Sequence, residues 1–225
     1  MAVSTIRRKK QDVPSGKSDV ITFSEGNRAE IMAAAAQAFM INGFAATSID
    51  TVAEVLGCTK GRIYYQYKSK ADLFFDVHRE AMLMNLFAIA NVAKDNASPL
   101  ARLRKMIHAQ VMVVITRLPF QRVSVQGVEL HLSGSTTSKQ REVLRTLMDL
   151  RDQYEKLFVD VIKEGIRIGE LRPYDPNFVV KPLLGALNWM TYWYHPNRDE
   201  TDQTRQQLAD NMADVMLGGI IAEQR

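Results

Sequence analysis

The chain has 225 residues, 46% hydrophobic and 24% charged. That is the composition of a folded globular protein, and it excludes a disordered chain, a collagen-like fibre and a disulfide scaffold. Of 29 Lys/Arg and 25 Asp/Glu, 10 and 6 fall within residues 1–70, leaving 19 of each in the remainder, so the whole excess of +4 is N-terminal. A basic N-terminal module on a neutral body points to a polyanionic partner.

The single cysteine, Cys58, cannot build an internal disulfide or a cysteine-based zinc site. It fits a reducing, cytoplasmic setting. No window reaches the roughly 18 apolar residues that a membrane span needs, so no membrane partner is expected. Arg7, Arg8, Lys9 and Lys10 are followed by no apolar core, which argues against a signal peptide.

Residues 1–23 are read as a mobile basic arm broken by Pro14, Ser15 and Gly16. Beyond it, apolar residues recur at three and four, and no strict alternation is sustained, so the pattern predicts an all-α fold of about nine helices. The first helix is expected from Ser24, with Phe23 as staple, to Asn42, and Gly43 stops it. A second begins at Thr47 or Ser48 and closes at Gly57. Thr59 caps a third after a short turn, and Ser69 caps a long fourth reaching about Lys94. Ser98-Pro99 opens the next helix, and Leu118-Pro119 interrupts it. Residues 133–138 form a loop, and a long helix follows from Lys139 to about Ile168. Asp175-Pro176 starts the penultimate helix, which Pro182 should kink, and the last spans about Asp202 to Leu217. The domains are expected at 24–70 and 71–225.

Two short helices joined by a tight glycine turn form a helix-turn-helix candidate. The outward face of its second helix strengthens the reading. Lys60 and Arg62 can donate to guanine edges or phosphates, Gly61 permits close backbone approach, and Tyr64 and Tyr65 offer phenolic donors. Thr59 can hold phosphate, and Lys68 and Lys70 extend the positive stripe. Ile63, Tyr67, Ile49, Val52 and Phe39 are assigned to packing.

Ile31–Ala38, Gly43-Phe44, Thr47-Ser48-Ile49, Val52-Ala53, residues 56–64, Tyr67, Ser69-Lys70 and Leu73-Phe74 together resemble the DNA-binding domain of the TetR (tetracycline-repressor-like) family. Tyr65-Gln66 stands where that family often carries His-His or Trp-His. The resemblance implies a homodimer with an N-terminal three-helix DNA-binding domain and a helical ligand-binding and dimerisation domain. It implies DNA contacts at Thr47, Thr59, Lys60, Arg62, Tyr64, Tyr65 and Lys70, and the reading of the residues themselves adds Ser48, Gly61 and Lys68 to the candidates. A two-fold dimer then presents two recognition helices to double-stranded DNA with a palindromic operator.

In the body, apolar positions at three-four spacing on the last two helices suit a four-helix bundle between subunits. Residues 189–196 are similar to the bodies of TetR-family regulators that respond to fatty acyl-CoA or steroid-acid-CoA thioesters. That resemblance implies a small hydrophobic or acyl-CoA-type effector. Met82, Phe87, Met106, Met112, Phe120, Phe158, Trp189 and Tyr192 are then candidates to line its site, and Arg117 and Arg122 to meet its anionic part.

His78, His108, His131 and His195 are scattered, with no His-x-x-x-His or Glu-x-x-His pair. No metal, no cofactor and no catalytic residue is therefore expected. The leading reading is a ligand-responsive DNA-binding transcriptional regulator, a repressor rather than an enzyme. The alternative is an all-helical enzyme or acyl-binding protein whose N-terminal corner is coincidental.

Overall fold

The computed structural model describes residues 18–132 and 137–222. The basic run Arg7–Lys10 and most of the loop at 133–138 lie outside the described residues. Among those described, nine α-helices and one 3-10 turn account for the architecture, and no strand occurs. The helices are α1 (Ser18–Ala46), α2 (Ile49–Leu56), α3 (Lys60–Tyr64), α4 (Lys70–Ala90), α5 (Pro99–Thr116), α6 (Leu118–Leu132), α7 (Ser138–Arg167), α8 (Pro176–Trp193) and α9 (Asp202–Gly218).

Most boundaries follow from local capping. The side chains of Ser69, Ser98, Thr137, Asp175 and Thr201 each accept a backbone N–H at the start of a helix, satisfying donors that have no partner within the helix. The start of α1 differs from expectation. It lies at Ser18 rather than Ser24, because no glycine or proline separates Gly16 from Gly26 and nothing stops the helix from running back. The end of α1 is also longer. Gly43, at φ 74° and ψ 169°, breaks the helix, yet a helical turn resumes as far as Ala46. A positive φ of that kind is open to glycine and costly for a residue with a Cβ.

Gly26–Ala46 is long and apolar enough to cross a membrane by length and composition alone, which corrects the expectation that no such window exists. In this fold its apolar face is core: Ile31, Ala35, Ala38 and Phe39 are fully buried.

Two buried clusters organise the molecule. The first joins Ile31 and Phe39 of α1, Val52 of α2, Ile63 of α3, and Leu73, Phe74 and Val77 of α4. Val123 of α6 and Leu144 and Leu147 of α7 close it from the body side. Phe74 is its centre, edge-on to Phe39 at 5.1 Å and tilted against Phe44 at 4.7 Å. The second cluster gathers Met82 and Ile89 of α4, Leu103 and Met106 of α5, Phe158 of α7, Leu187 of α8, and Ala213 of α9. The continuous helix α4 belongs to both. Near the C-terminus, an antiparallel bridge between Leu171 and Ile221 ties the α7–α8 connection to the end of α9. No sequence pattern pointed to it.

Helices α4 and α6 approach closely where His78 meets Gly127. A Cβ at Gly127 would sit 2.0 Å from His78 Nδ1. The imidazole is fully buried and neither ring nitrogen has a partner. Burial pushes its pKa down to about 4, because the low-dielectric interior disfavours the cation. The unfolded chain, with an ordinary value near 6.5, therefore binds the proton first, and stability is lost as pH falls from about 6.5 to about 4. We expect His78→Leu to remove a pH-dependent loss of about 3 kcal/mol over that window. Denaturant unfolding of both proteins at pH 7 and pH 4 measures it, and an equal pH dependence in the two would contradict the assignment.

Candidate functional site

The turn between α2 and α3 is set by backbone geometry. Ser48 caps α2, its Oγ accepting from Thr51 N–H at 3.0 Å, with Thr51 returning the bond in a capping box. Gly57, at φ 67° and ψ 36°, ends α2 in the left-handed conformation. Cys58 N–H then donates to Ala53 O at 3.0 Å. The chain re-enters a helix at Lys60 after only three residues, so α3 leaves α2 at a fixed angle.

Buried Ile63 and Tyr67 anchor the inner face of α3. Its outer side is a continuous exposed row: Thr59, Lys60, Gly61, Tyr64, Tyr65 and Lys68. Tyr65 is 88% exposed, a wide departure from the burial that phenolic rings usually find. Lys60 faces Asp50 at 3.5 Å in an exposed pair that is weak in water.

Three candidates sit differently from expectation. Thr47 is 1% exposed, and its hydroxyl donates to Gly43 O at 2.7 Å. It closes the end of α1 and has no reach to a phosphate, so it leaves the contact set. Arg62 is folded back on α1. Its Nε donates to Asn27 Oδ1 at 2.6 Å, and its terminal nitrogen pairs with Glu30. Lys70 Nζ donates to Phe44 O at 2.8 Å and Ala45 O at 3.1 Å, and it lies 4.6 Å from the Phe44 ring centroid. It satisfies carbonyls at the end of α1 and gains a cation–π contact.

A carboxylate that sequence reasoning did not single out fixes this unit to the body. Asp76 of α4 accepts from Arg28 Nε at 3.0 Å and Arg28 Nη2 at 2.8 Å. It also accepts from Tyr67 O–H at 2.7 Å. Burial and then the bond to Asp76 push the Tyr67 phenol well above its usual value, so it stays a neutral donor. Nothing in the local pattern predicts a pairing 48 residues apart.

The body holds three hollows that bear on the reading. A small one of about 40 Å³ lies between α4, α6, α7 and α8, with Asn85, Ser124, Arg151, Tyr154 and Asn188 facing Met82, Val125 and Leu184. A larger hollow of about 310 Å³ opens beside it, walled by Met40, Arg122, Val125, Glu129 and Tyr192. An apolar groove of about 420 Å³ runs between α8 and α9, along Tyr174, Phe178, Pro182, Val215 and Met216.

Of the expected effector residues, Met82 walls the small hollow, and Arg122 and Tyr192 wall the larger one beside it. Arg122 Nε donates to Thr191 O at 2.6 Å. Trp189 stacks on Tyr192 at 4.8 Å, and Phe158 supports Tyr154 edge-on at 5.4 Å. The others are elsewhere. Phe87 is 70% exposed on α4. Met106 is core, Met112 packs at its edge, and Phe120 packs against the first cluster. Arg117 is exposed at the end of α5. These five line none of the three hollows. Asn85, Ser124, Arg151, Tyr154 and Asn188 were missed because polar residues in a helical run read as solvated.

Residues 31–77 match the family described as bacterial regulatory proteins, tetR family, and residues 96–220 match the tetracyclin repressor-like C-terminal domain. The chain is 27% identical over 206 residues to the HTH-type transcriptional repressor KstR2 of Mycobacterium tuberculosis, covering 87% of this chain and 94% of that protein. It is 33% identical over 90 residues to the HTH-type transcriptional regulator TtgR of Pseudomonas putida, covering 37% and 40%. The structure of the ketosteroid transcriptional regulator KstR2 of Mycobacterium tuberculosis superposes with a TM-score of 0.75 at 23% identity, over 87% of this chain and 95% of that one. That of AibR in complex with isovaleryl coenzyme A and operator DNA gives 0.68 at 22% identity, over 84% and 97%. The match runs through the N-terminal corner and the body alike, so the reading of an enzyme with a coincidental corner finds no support. The chain belongs to the TetR family of bacterial transcriptional regulators, ligand-responsive DNA-binding proteins rather than enzymes.

Proposed function

We propose that this protein is a cytoplasmic repressor that binds a palindromic operator as a two-fold homodimer and is released by a small hydrophobic or acyl-CoA-type effector. The observation that carries the reading is the exposed row Thr59, Lys60, Gly61, Tyr64, Tyr65 and Lys68 on a short helix whose other face is locked by Ile63 and Tyr67. Lys60 and Lys68 supply phosphate neutralisation, the tyrosine hydroxyls and Thr59 supply directed donors, and Ser48 approaches from α2. Arg62 reads a base edge only after giving up Asn27 and Glu30, so its contribution comes with a cost that a free arginine does not carry.

Two such helices about one DNA turn apart, roughly 34–36 Å, address successive major grooves. The α8–α9 groove supplies the pairing. Phe178 is 69% and Val215 79% exposed, an apolar concentration that two copies bury in a four-helix bundle. The hollows at Tyr192 and Arg151 take the effector. KstR2 is named a repressor, and AibR was solved with an acyl-CoA and operator DNA, which supports an effector of that kind here. The effector acts by binding one spacing of the paired helices better than the other.

Two outcomes check this reading. Lys68→Gln lowers the log–log salt slope of operator binding by about 0.9, because one fewer phosphate is neutralised. Lys70→Gln leaves that slope unchanged and lowers the melting temperature instead. Electrophoretic titrations across a salt series with parallel thermal melts separate the two, and equal slopes for Lys68→Gln and wild type would contradict the assignment. Val215→Glu yields single subunits in sedimentation and weakens operator binding by about tenfold or more, since two half-sites are no longer engaged together. A variant that still sediments as a dimer would overturn the α8–α9 interface.

A further inference from the structure

The stripe of α7 that faces the body runs Leu147, Arg151, Tyr154, Phe158. Leu147, Tyr154 and Phe158 are buried, and Arg151, partly exposed, lies between them in the wall of the small hollow. Among the described residues no ion pair uses Arg151. Glu155, one turn along, is taken by Lys181 of α8.

The rest of the wall is also polar. Asn85 Oδ1 accepts from Gln110 Nε2 at 3.1 Å, which leaves the Asn85 amide nitrogen to donate. Ser124 Oγ meets only Met82 Sδ at 3.3 Å, and a thioether is a weak acceptor. Burial pushes the Tyr154 phenol far above its usual value, so its hydroxyl keeps its proton and can donate. The Asn85 amide, the Ser124 and Tyr154 hydroxyls and the Arg151 guanidinium thus share one wall, a set of donors that suits an anionic ligand.

We propose that this small hollow is a carboxylate subsite and that its ligand is an amphipathic carboxylic acid whose carboxylate enters first and pairs with Arg151. The proposal rests on reading this part of the body as the effector site. One guanidinium matches one negative charge and grips two oxygens side by side. The amide of Asn85 and the hydroxyls of Ser124 and Tyr154 line the same hollow and supply further donors. A volume of about 40 Å³ holds about three waters, which suits a carboxylate. A phosphate dianion would bring a second charge that no other cation in this wall meets. Val125 borders both the small hollow and the larger one, so the apolar remainder of the ligand leads past it toward Met40 and Tyr192. A CoA thioester satisfies the subsite only when its acyl group carries a further, free carboxyl.

Isothermal titration of the full-length chain with decanoate, 1-decanol and decyl phosphate tests this. Wild type should bind decanoate roughly tenfold to a hundredfold more tightly than decanol, the range of a charge-assisted pair. Arg151→Gln should abolish that preference while leaving decanol within about twofold, and Arg151→Lys should keep part of it. Leu184→Phe, which fills the hollow, should weaken decanoate and decanol alike. If decanol equals decanoate and both respond to Leu184→Phe, the hollow is an effector site but the carboxylate assignment fails. Tighter binding of decyl phosphate with the same Arg151 dependence overturns the carboxylate in favour of a phosphate. If no probe binds, or none responds to Leu184→Phe, the effector reading of the hollow fails and the subsite with it. Should Arg151→Gln not fold, the wild-type ratio and Arg151→Lys decide.

Discussion

The carboxylate of Asp76 is where the molecule's two halves are tied. It receives Arg28 from α1 and the Tyr67 hydroxyl from the end of the α3 turn, and it stands on α4, whose other end is built into the body. Removing it would leave a partly buried guanidinium and a buried phenol without an acceptor. Beneath it, Leu73, Phe74 and Val77 fill the first core, and farther along the same helix Met82 and Ile89 fill the second. The orientation of the recognition helix is therefore a property of α4.

This arrangement explains how a site in the body can speak to DNA. Helix α4 has 21 residues and spans about 30 Å as a rigid rod. Asn85 lies in the wall of the small hollow, and Asp76 precedes it on the same helix. Packed interiors have discrete arrangements rather than continuous ones. On the proposed reading, a ligand that wedges α4 away from α6 and α7 would displace Asp76 and, through Tyr67 and Arg28, the α3 row. The contact of His78 with Gly127 sets how closely α4 and α6 pack in the present arrangement.

Much of the fold was legible because helix boundaries are local chemistry. Ser69, Ser98-Pro99 and Asp175-Pro176 cap from within three residues of the helices they start, and Gly57 takes a positive φ where a helix ends, whereas the Thr137 cap was read as loop. The outward row of α3 was legible for the same reason, since helical period alone separates Ile63 and Tyr67 from Lys60, Tyr64 and Tyr65. The intramolecular partners of Thr47, Arg62 and Lys70 were not legible, because they belong to α1. Lys70 bonds carbonyls 25 and 26 residues away, and Arg62 meets Glu30 at a separation of 32. Periodicity says which face a residue takes and nothing about which distant group waits there. In the body, methionines and phenylalanines drew attention as tunnel residues, yet Met106 and Phe158 are plain core. The polar wall of Asn85, Arg151 and Asn188 comes from three helices that only the tertiary fold brings together.

The central claim is that two recognition helices are held at one fixed separation by the paired bodies. Spin labels at Lys68→Cys in a Cys58→Ser background, read by pulsed electron resonance on the operator-bound protein, measure it directly. The account predicts one narrow distance distribution consistent with a helix spacing of about one DNA turn, roughly 34–36 Å. A broad distribution, or the absence of any dipolar signal because the chain binds as a lone subunit, would contradict it.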